Sequence, residues 1–240
     1  GIAKSNEEMN AHLSTTDQST IGSNWAAGDI MYEDTNNDKQ INDGARTITD
    51  HGDLKVIGNS TPRFLWGIDL NASWKGFDIR AFFQGVMKRD AWLGGSWGSL
   101  EYYFGATNSG EWWATGITAV KDYYRDANTW SVANGYQKAN QDAFLPRATF
   151  SNKNERCQTR YLMNAAYMRL KNFQAGYTIP RNITTKWGIS NMRVFVSIEN
   201  LFTITKMPKQ FDPEIIGTDS RHSNGYPLSK TFSFGINVTF

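Results

Sequence analysis

The last eleven residues, Lys230-Thr-Phe-Ser-Phe-Gly-Ile-Asn-Val-Thr-Phe240, alternate without exception. Phe232, Phe234, Ile236, Val238 and Phe240 share one face of an extended chain, and Thr231, Ser233, Gly235, Asn237 and Thr239 share the other, because side chains repeat every two residues along a strand. The pattern recurs upstream. Phe64, Trp66, Ile68, Leu70, Ala72 and Trp74 alternate with Leu65, Gly67, Asp69, Asn71 and Ser73, while Phe77, Ile79, Ala81 and Phe83 alternate with Asp78, Arg80, Phe82 and Gln84. Between these two runs Lys75-Gly76 predicts a two-residue hairpin turn, since glycine accepts the positive φ that such turns need. Met192, Val194, Val196 and Ile198 against Arg193, Phe195, Ser197 and Glu199 predict another strand. In residues 167–179, Phe173, Ala175, Tyr177 and Ile179 are in phase but Met168 and Leu170 have the opposite parity, which predicts a bulge near Asn172. Five strands are therefore expected, and weaker patterns at 100–105 and 117–124 suggest a further pair between 89 and 158.

A strand of about ten residues at a steep tilt crosses the hydrocarbon layer of a bilayer, and the terminal strand has that length. Its apolar face would then meet lipid and its polar face a lumen, the arrangement of bacterial outer-membrane barrels. The competing reading is a secreted β-sandwich that packs its apolar faces on a core and binds glycans through surface Trp and Tyr. Connection lengths separate the two. Counting back from the last strand, residues 205–229 and 89–165 fall on one side, and 180–191 and 75–76 on the other. Long extracellular loops and short periplasmic turns sort in this way in barrels, and a sandwich has no reason to do so. Five to seven strands cannot close a pore, since the smallest such barrels have about eight. The expected fold is all-β: the C-terminal strands of a larger antiparallel transmembrane β-barrel with long extracellular loops.

Composition agrees without deciding. No stretch approaches the roughly 18 continuous apolar residues of a membrane helix, so any membrane crossing must be made by strands. Nine Trp and ten Tyr suit both membrane interfaces and sugar-binding surfaces. A net charge of +2, with no Lys/Arg run longer than a pair, argues against nucleic acid as a partner. The lone Cys157 cannot form an internal disulfide. The chain begins Gly1-Ile2-Ala3-Lys4, with neither an initiator Met nor a signal segment, and is expected to be a processed form or a piece of something longer.

Five stretches occur in a telling order: Gly28-Asp-Ile-Met-Tyr-Glu-Asp-Thr-Asn-Asn-Asp38; Val56-Ile-Gly-Asn-Ser-Thr-Pro-Arg-Phe64; Trp74-Lys-Gly-Phe-Asp-Ile79 with Phe83-Gln-Gly-Val86; Tyr167-Met-Arg-Leu-Lys-Asn-Phe-Gln-Ala-Gly-Tyr177; and Val196-Ser-Ile-Glu-Asn-Leu-Phe-Thr203 followed by Phe211-Asp-Pro-Glu214. Together they resemble the SusC/RagA family of TonB-dependent outer-membrane transporters of Bacteroidetes. The resemblance covers nearly the whole chain. It implies a β-barrel of about 22 strands, of which residues 1–240 form the C-terminal part, while the N-terminal plug, the TonB box and the earlier strands lie outside this sequence. It further implies energy coupling through TonB and import of glycan oligomers or peptides under a SusD-like surface lipoprotein lid. The final strand, through Phe232, Phe234, Ile236, Val238 and Phe240, would be the signal read by the barrel assembly machinery before insertion into outer-membrane lipid.

Candidate sites are few, and none is catalytic. Asp34, Asn36, Asp38, Asn42 and Asp43 set oxygen side chains at the spacing of the first half of a Ca2+ loop. Lys39 stands where that loop needs Gly, and Ala45 where it needs a bidentate Glu, so an ion-free Asx-rich turn is the stronger reading and no cofactor beyond a candidate Ca2+ is expected. Gly94-Gly-Ser96-Trp-Gly98 fits the nucleophile-elbow pattern, with His222 as a formal partner, but lacks the strand before and the helix after that an elbow requires. His12, His51 and His222 have no metal-ligand spacing. Trp92, Trp97, Tyr102, Tyr103, Trp112 and Trp113, with Tyr123, Tyr124 and Trp130, crowd one predicted outer loop. They are candidates for contact with substrate or with the lid, beside the simpler role of packing a long loop on itself. Trp66, Trp74, Phe77 and Trp187 are expected at the inner rim as an interfacial girdle.

Overall fold

The computed structural model describes residues 1–92, 121–149, 151–209, 211–216 and 227–240. The chain forms two compact units, residues 1–58 with 93–162, and residues 59–92 with 163–240.

The second unit is the sheet that the alternation predicts. Its described strands are β1 (Arg63–Trp74), β2 (Phe77–Lys88), β3 (Asp90–Ala91), β4 (Met163–Asn164), β5 (Tyr167–Thr178), β6 (Asn191–Glu199), β7 (Thr203–Thr205) and β8 (Thr231–Thr239). They pair antiparallel in the order β1-β2-β5-β6-β8, with β7 on β5 and with β3 and β4 as a separate short ladder. All five expected strands are present. The additional described pair is β3 with β4, outside the segments that sequence suggested. Residues 100–105 and 117–120 lie outside the described residues, and Tyr123 contributes only an isolated bridge to Leu145.

Two local devices set the register. Lys75 and Gly76 both have positive φ, 48° and 89°, giving a turn whose twist matches the flanking strands, and Trp74 pairs with Phe77 across it. On β5 the pairing with β2 steps from Phe82↔Asn172 to Phe83↔Leu170, so Lys171 is an extra residue. This is the expected bulge. It returns Met168 and Leu170 to the face of Phe173 and Ala175, repairing the parity break seen in the sequence. Opposite it, Asn200 takes a left-handed φ of 51°, and β7 resumes pairing with β5 where β6 stops.

With this register the two faces separate by chemistry, since directly opposite residues share a face. One face carries Ile68 with Phe83, Leu70 with Ala81, Ala72 with Ile79, Trp74 with Phe77 and Tyr177, Ala175 with Val196 and Phe234, and Val194 with Ile236. The other carries Asp69, Asn71, Arg80, Asp78, Gln174, Ser197, Arg193 and Asn237, with Phe82 and Phe195 as aromatic exceptions. Toward the long connections this second face becomes apolar through Leu65, Val86 and Tyr167. The apolar face is bare: Phe234 is 85% and Ile236 62% exposed. A sandwich would bury such a face against a second sheet.

The short connections, 75–76 and 179–190, and the end of β8 lie at one end of the sheet, and the long ones leave from the other. Trp74, Phe77 and Trp187 sit at the short-turn end, where Phe77 packs on Tyr177 with ring centroids 4.5 Å apart. Trp66 does not. It pairs with Gly85, eight positions from the Trp74–Phe77 pair that flanks the hairpin turn, so the two tryptophans of β1 mark opposite ends of the apolar face. Sequence placed Trp66 by residue type instead of by distance from the turn. Phe64, expected on the same face, takes a left-handed φ of 56° and makes no ladder pair, so strand parity does not fix its direction.

The first unit departs from the all-β expectation. Its described part contains α1 (Asn6–Leu13), short helical turns and isolated bridges. The helix has little apolar periodicity and buries only Met9; Ser5 caps it by accepting from the Glu8 amide, and Glu7 and Glu8 favour its first turn.

An Arg in place of Ile236 is expected to cost about 2–4 kcal/mol if that position lies near the bilayer midplane, whereas Asn237→Ser should be nearly neutral. Urea titration of the full-length barrel in lipid vesicles reads both. Equal costs at the two positions would mean that the faces do not see different solvents.

Candidate functional site

The polar face is built around charges that cancel. On β1 and β2, Arg80 donates from Nε (3.1 Å) and Nη2 (2.7 Å) to Asp69. On β2 and β6, Arg193 donates from Nε to Asp78 at 2.9 Å, reaching across the intervening β5. That reach needs Gly176, which pairs with Asp78 on one side and Phe195 on the other. A Cβ at Gly176 would meet the Arg193 guanidinium at 2.5–2.7 Å. The pattern Asp78, Gly176, Arg193 is therefore one unit written on three strands. Both pairs are partly open to solvent and keep the polar face wet but nearly neutral.

Toward the long connections the pairing becomes buried. Arg169, 3% exposed, donates to Thr203 Oγ1 (2.7 Å), Glu214 (2.6 Å) and Asp212 (2.7 Å), and Lys171 adds a second cation to Glu214 at 2.9 Å. Asp212 also accepts the backbone amides of Glu214 and Leu228, both at 3.0 Å. Burial would push the Asp212 carboxyl up, but the Glu214 amide, the Arg169 guanidinium and the Leu228 amide outweigh it and hold the group below the usual carboxylate range. Arg89 fastens the same segment by donating to the carbonyls of Pro213 and Ile216. The Phe211-Asp-Pro-Glu214 stretch is thus a loop anchor set by charge.

The first unit has its own buried centre. Asp29, fully buried, receives Arg147 Nε at 2.8 Å, Lys153 Nζ at 2.8 Å, Asn154 Nδ2 at 3.0 Å and the Ala26 amide at 2.9 Å. Burial raises its pKa, yet hydrogen bonds from Arg147, Asn154 and Lys153 prevail and hold the carboxyl low. Lys153 also reaches the carbonyls of Ser23 and Asn24 and lies over the Trp25 ring. Arg147 and Asn154 lie 118 and 125 positions from Asp29, so no local pattern marks the cluster.

Residues 34–43 close on themselves. Asp34 accepts the amides of Asn37 (2.6 Å) and Lys39 (2.8 Å), Asp38 accepts the amide of Gln40 (2.8 Å), and Asn36 accepts that of Asp38 (3.0 Å). Asn42 Oδ1 takes the Gly44 amide, and Asp43 pairs with Arg46 and Arg156. The expected ligands therefore gather in one turn but spend their oxygens on backbone amides and arginines, and among the described residues no three His, Cys, Asp or Glu converge as a metal group. Of the aromatic loop residues, Trp92 is half-buried, while Trp97, Tyr102, Tyr103, Trp112 and Trp113 lie outside the described residues, as do Ser96 and His222. His12 contacts Gln18 and His51 contacts the Gly52 carbonyl, so neither described histidine stands beside a nucleophile. Phe232, Phe234, Ile236, Val238 and Phe240 are all exposed along β8 and its end.

Comparison with known proteins places this architecture. No family model matches the chain. TonB-dependent receptor P3 of Formosa agariphila is 31% identical over 201 residues, an alignment covering 78% of this chain and 17% of that protein. TonB-dependent receptor P26 of the same organism is 26% identical over 249 residues, covering the whole of this chain and 22% of that protein. Among solved structures, the RagAB peptide importer matches in its "open-open" state with a TM-score of 0.51 and in its "closed-closed" state with 0.52. Each is 24% identical and covers 78% of this chain and 18% of that one. At that identity the likeness concerns the fold. The chain spans about a fifth of the length of the relatives it matches.

Replacing Arg169 with Ala leaves Asp212 and Glu214 without their main cation and is expected to cost about 3–5 kcal/mol locally. Because Asp212 is depressed below its unfolded value near pH 3.9, its contribution is complete above that pH and is lost as pH falls through the lower folded value. Limited proteolysis between Lys206 and Lys209 should therefore begin only below about pH 3.9 in the native protein. In Arg169→Ala it should begin at neutral pH. Resistance of the variant at pH 7 would contradict the anchor.

Proposed function

We propose that this chain, a member of the SusC/RagA-like TonB-dependent receptors, forms part of the wall of an outer-membrane barrel that imports oligomeric nutrients, either glycan oligosaccharides or peptides. One observation carries the reading: the register puts a continuous apolar face, exposed at Ile68, Leu70, Ile79, Phe234 and Ile236, on one side of the sheet and paired charges on the other. A wall between lipid and a wet lumen needs that division, and the rival sandwich does not. The relatives named as receptors support transport over covalent chemistry. In this reading the Asp69–Arg80 and Asp78–Arg193 pairs line the lumen, where balanced charge lets cargo pass without a fixed ionic trap. The part preceding this chain supplies the plug and the contact with TonB. Residues 89–165 and 205–229 are the outer connections, and a SusD-like surface lipoprotein closes over them, with Trp92, Trp97, Tyr102, Tyr103, Trp112 and Trp113 as contact candidates. The turn at 34–43 braces its neighbours by its own hydrogen bonds, whether or not Ca2+ joins it.

The direct test is growth of the source bacterium on oligomeric nutrients with the full-length transporter present or deleted, and with TonB removed. Loss of growth on one oligomer class in both cases supports the reading, and unchanged growth of the deletion strain on every oligomer tried contradicts it. A second outcome concerns assembly. Phe240, 88% exposed at the end of β8, should be needed for insertion, so Phe240→Asp is expected to lower surface levels severalfold, measured by surface-exposed epitope labelling. Wild-type levels would remove the terminal strand from the assembly signal.

A further inference from the structure

The first unit contains a pocket of about 510 Å³, open to solvent and lined by Asn6, Tyr123, Asp126, Asn128, Thr129 and Trp130, among others. Its volume falls in the range of about 300–1,000 Å³ typical of small-molecule sites. Trp130 is 70% exposed, an unusual state for a residue that gains so much by burial. Its indole is nevertheless held in place. Tyr136 stacks on it with ring centroids 5.3 Å apart and planes 19° from parallel, so one face of the indole is backed and the other remains available.

The polar rim is equally fixed. Asp126 Oδ1 accepts the amides of Asn128 (3.1 Å) and Thr129 (2.8 Å) and the Thr129 hydroxyl (2.9 Å). The Tyr123 and Ser131 hydroxyls both donate to Gln137 Oε1, at 2.7 and 3.0 Å. A rim locked by its own hydrogen bonds binds without first paying to order itself. Two groups are left over: Asp126 Oδ2 and the Asn128 carboxamide make no hydrogen bond among the described residues. The pocket's cation, Arg147, is committed to Asp29 and to the Asn24 carbonyl.

A backed aromatic face beside a carboxylate and a carboxamide, with Arg147, the one cation among the described lining residues, already paired, is complementary to a ring that offers C–H bonds on one side and hydroxyls at its edge. An anionic ligand would meet Asp126 without a compensating charge, and an apolar side chain would leave the polar rim unpaired. We propose that this pocket is a binding subsite for neutral saccharide, with Trp130 stacking on a sugar ring and Asp126 and Asn128 receiving its hydroxyls. The assignment narrows the nutrient class of the importer proposed above and rests on that reading for its purpose, though not for its chemistry.

The test is calorimetric titration of the full-length transporter in detergent with four neutral probes, laminarihexaose, cellohexaose, mannohexaose and maltohexaose, and with a tryptic casein digest as the peptide probe. At least one hexasaccharide is expected to bind. Trp130→Ala should weaken it about tenfold, the scale of one lost aromatic stacking contact, Asn128→Ala should weaken it severalfold, and Trp130→Phe should largely restore affinity. Both altered side chains are exposed, so the thermal midpoint should not move, and the Phe variant keeps the test valid if the Ala variant is poorly folded. Absence of saccharide binding, or saccharide affinity indifferent to both Ala variants, overturns the subsite. So does peptide affinity that falls in those variants while saccharides do not bind. TonB-dependent growth that persists alongside any of these results leaves the importer standing without this subsite. Saccharide binding that depends on Trp130 in a protein whose loss affects no growth would leave the site standing without the importer.

Discussion

The register of the strands is the constraint on which the sheet depends, because a slip of one residue exchanges its two faces completely. In lipid the penalty would be severe: Asp69, Asp78, Arg80 and Arg193 would enter hydrocarbon while Trp74, Ile79, Val196 and Ile236 turned to water. Three features guard against it. The Lys75-Gly76 turn fixes β1 against β2 through two positive φ angles. The extra Lys171 makes β5 fit β2 in one way only, since moving the bulge would return Met168 and Leu170 to the wrong face. The Asp78–Arg193 pair then bridges two strands across Gly176, where a Cβ would press on the guanidinium and force it to shift. Turn, bulge and ion pair each specify the same alignment, the agreement between levels expected of a sequence that folds to a single state.

Loops longer than the strands they connect need anchors of another kind. Each unit uses a buried charge surrounded by several hydrogen bonds, Arg169 in the sheet unit and Asp29 in the other. Such a group is costly to bury and stays only where all its partners are in place, so its main effect is to make one loop arrangement far better than the alternatives. Arg169 ties β5, β7 and the 211–216 segment at a single guanidinium, the group best suited to several carboxylate and hydroxyl acceptors at once. Asp29 draws together segments near residues 26, 147 and 153 by accepting from a backbone amide and three side chains.

What could be read from sequence follows from how local each signal is. The five long strands and the bulge are written in parity, which needs only neighbouring residues, and the structure has them where parity put them. Hairpin and loop lengths gave the sorting of short and long connections for the same reason. Trp66 departs from the expected inner rim because an aromatic residue marks an interface without saying which one; only its distance from the turn does. The first unit has neither period, so its helix and isolated bridges carry no parity signal, and the Asp29 cluster joins side chains more than a hundred positions apart. Arg169 could have been suspected as a charge between Met168 and Leu170, but its acceptors lie 43 and 45 positions away. The 34–43 turn illustrates the reverse: the oxygen spacing was plain, and the hydrogen bonds those oxygens make were not.

If the two faces of the sheet meet different solvents, site-directed spin labelling along β8 will separate them. With Cys157 replaced by Ser, single nitroxides at positions 232 to 238 of the full-length transporter in lipid vesicles would be probed with oxygen, which concentrates in hydrocarbon, and with a water-soluble nickel chelate. A period of two is expected, with oxygen accessibility high at 232, 234, 236 and 238 and the nickel chelate favoured at 233, 235 and 237. Alternation in the opposite phase, or equal access to the nickel chelate at every position, would contradict it.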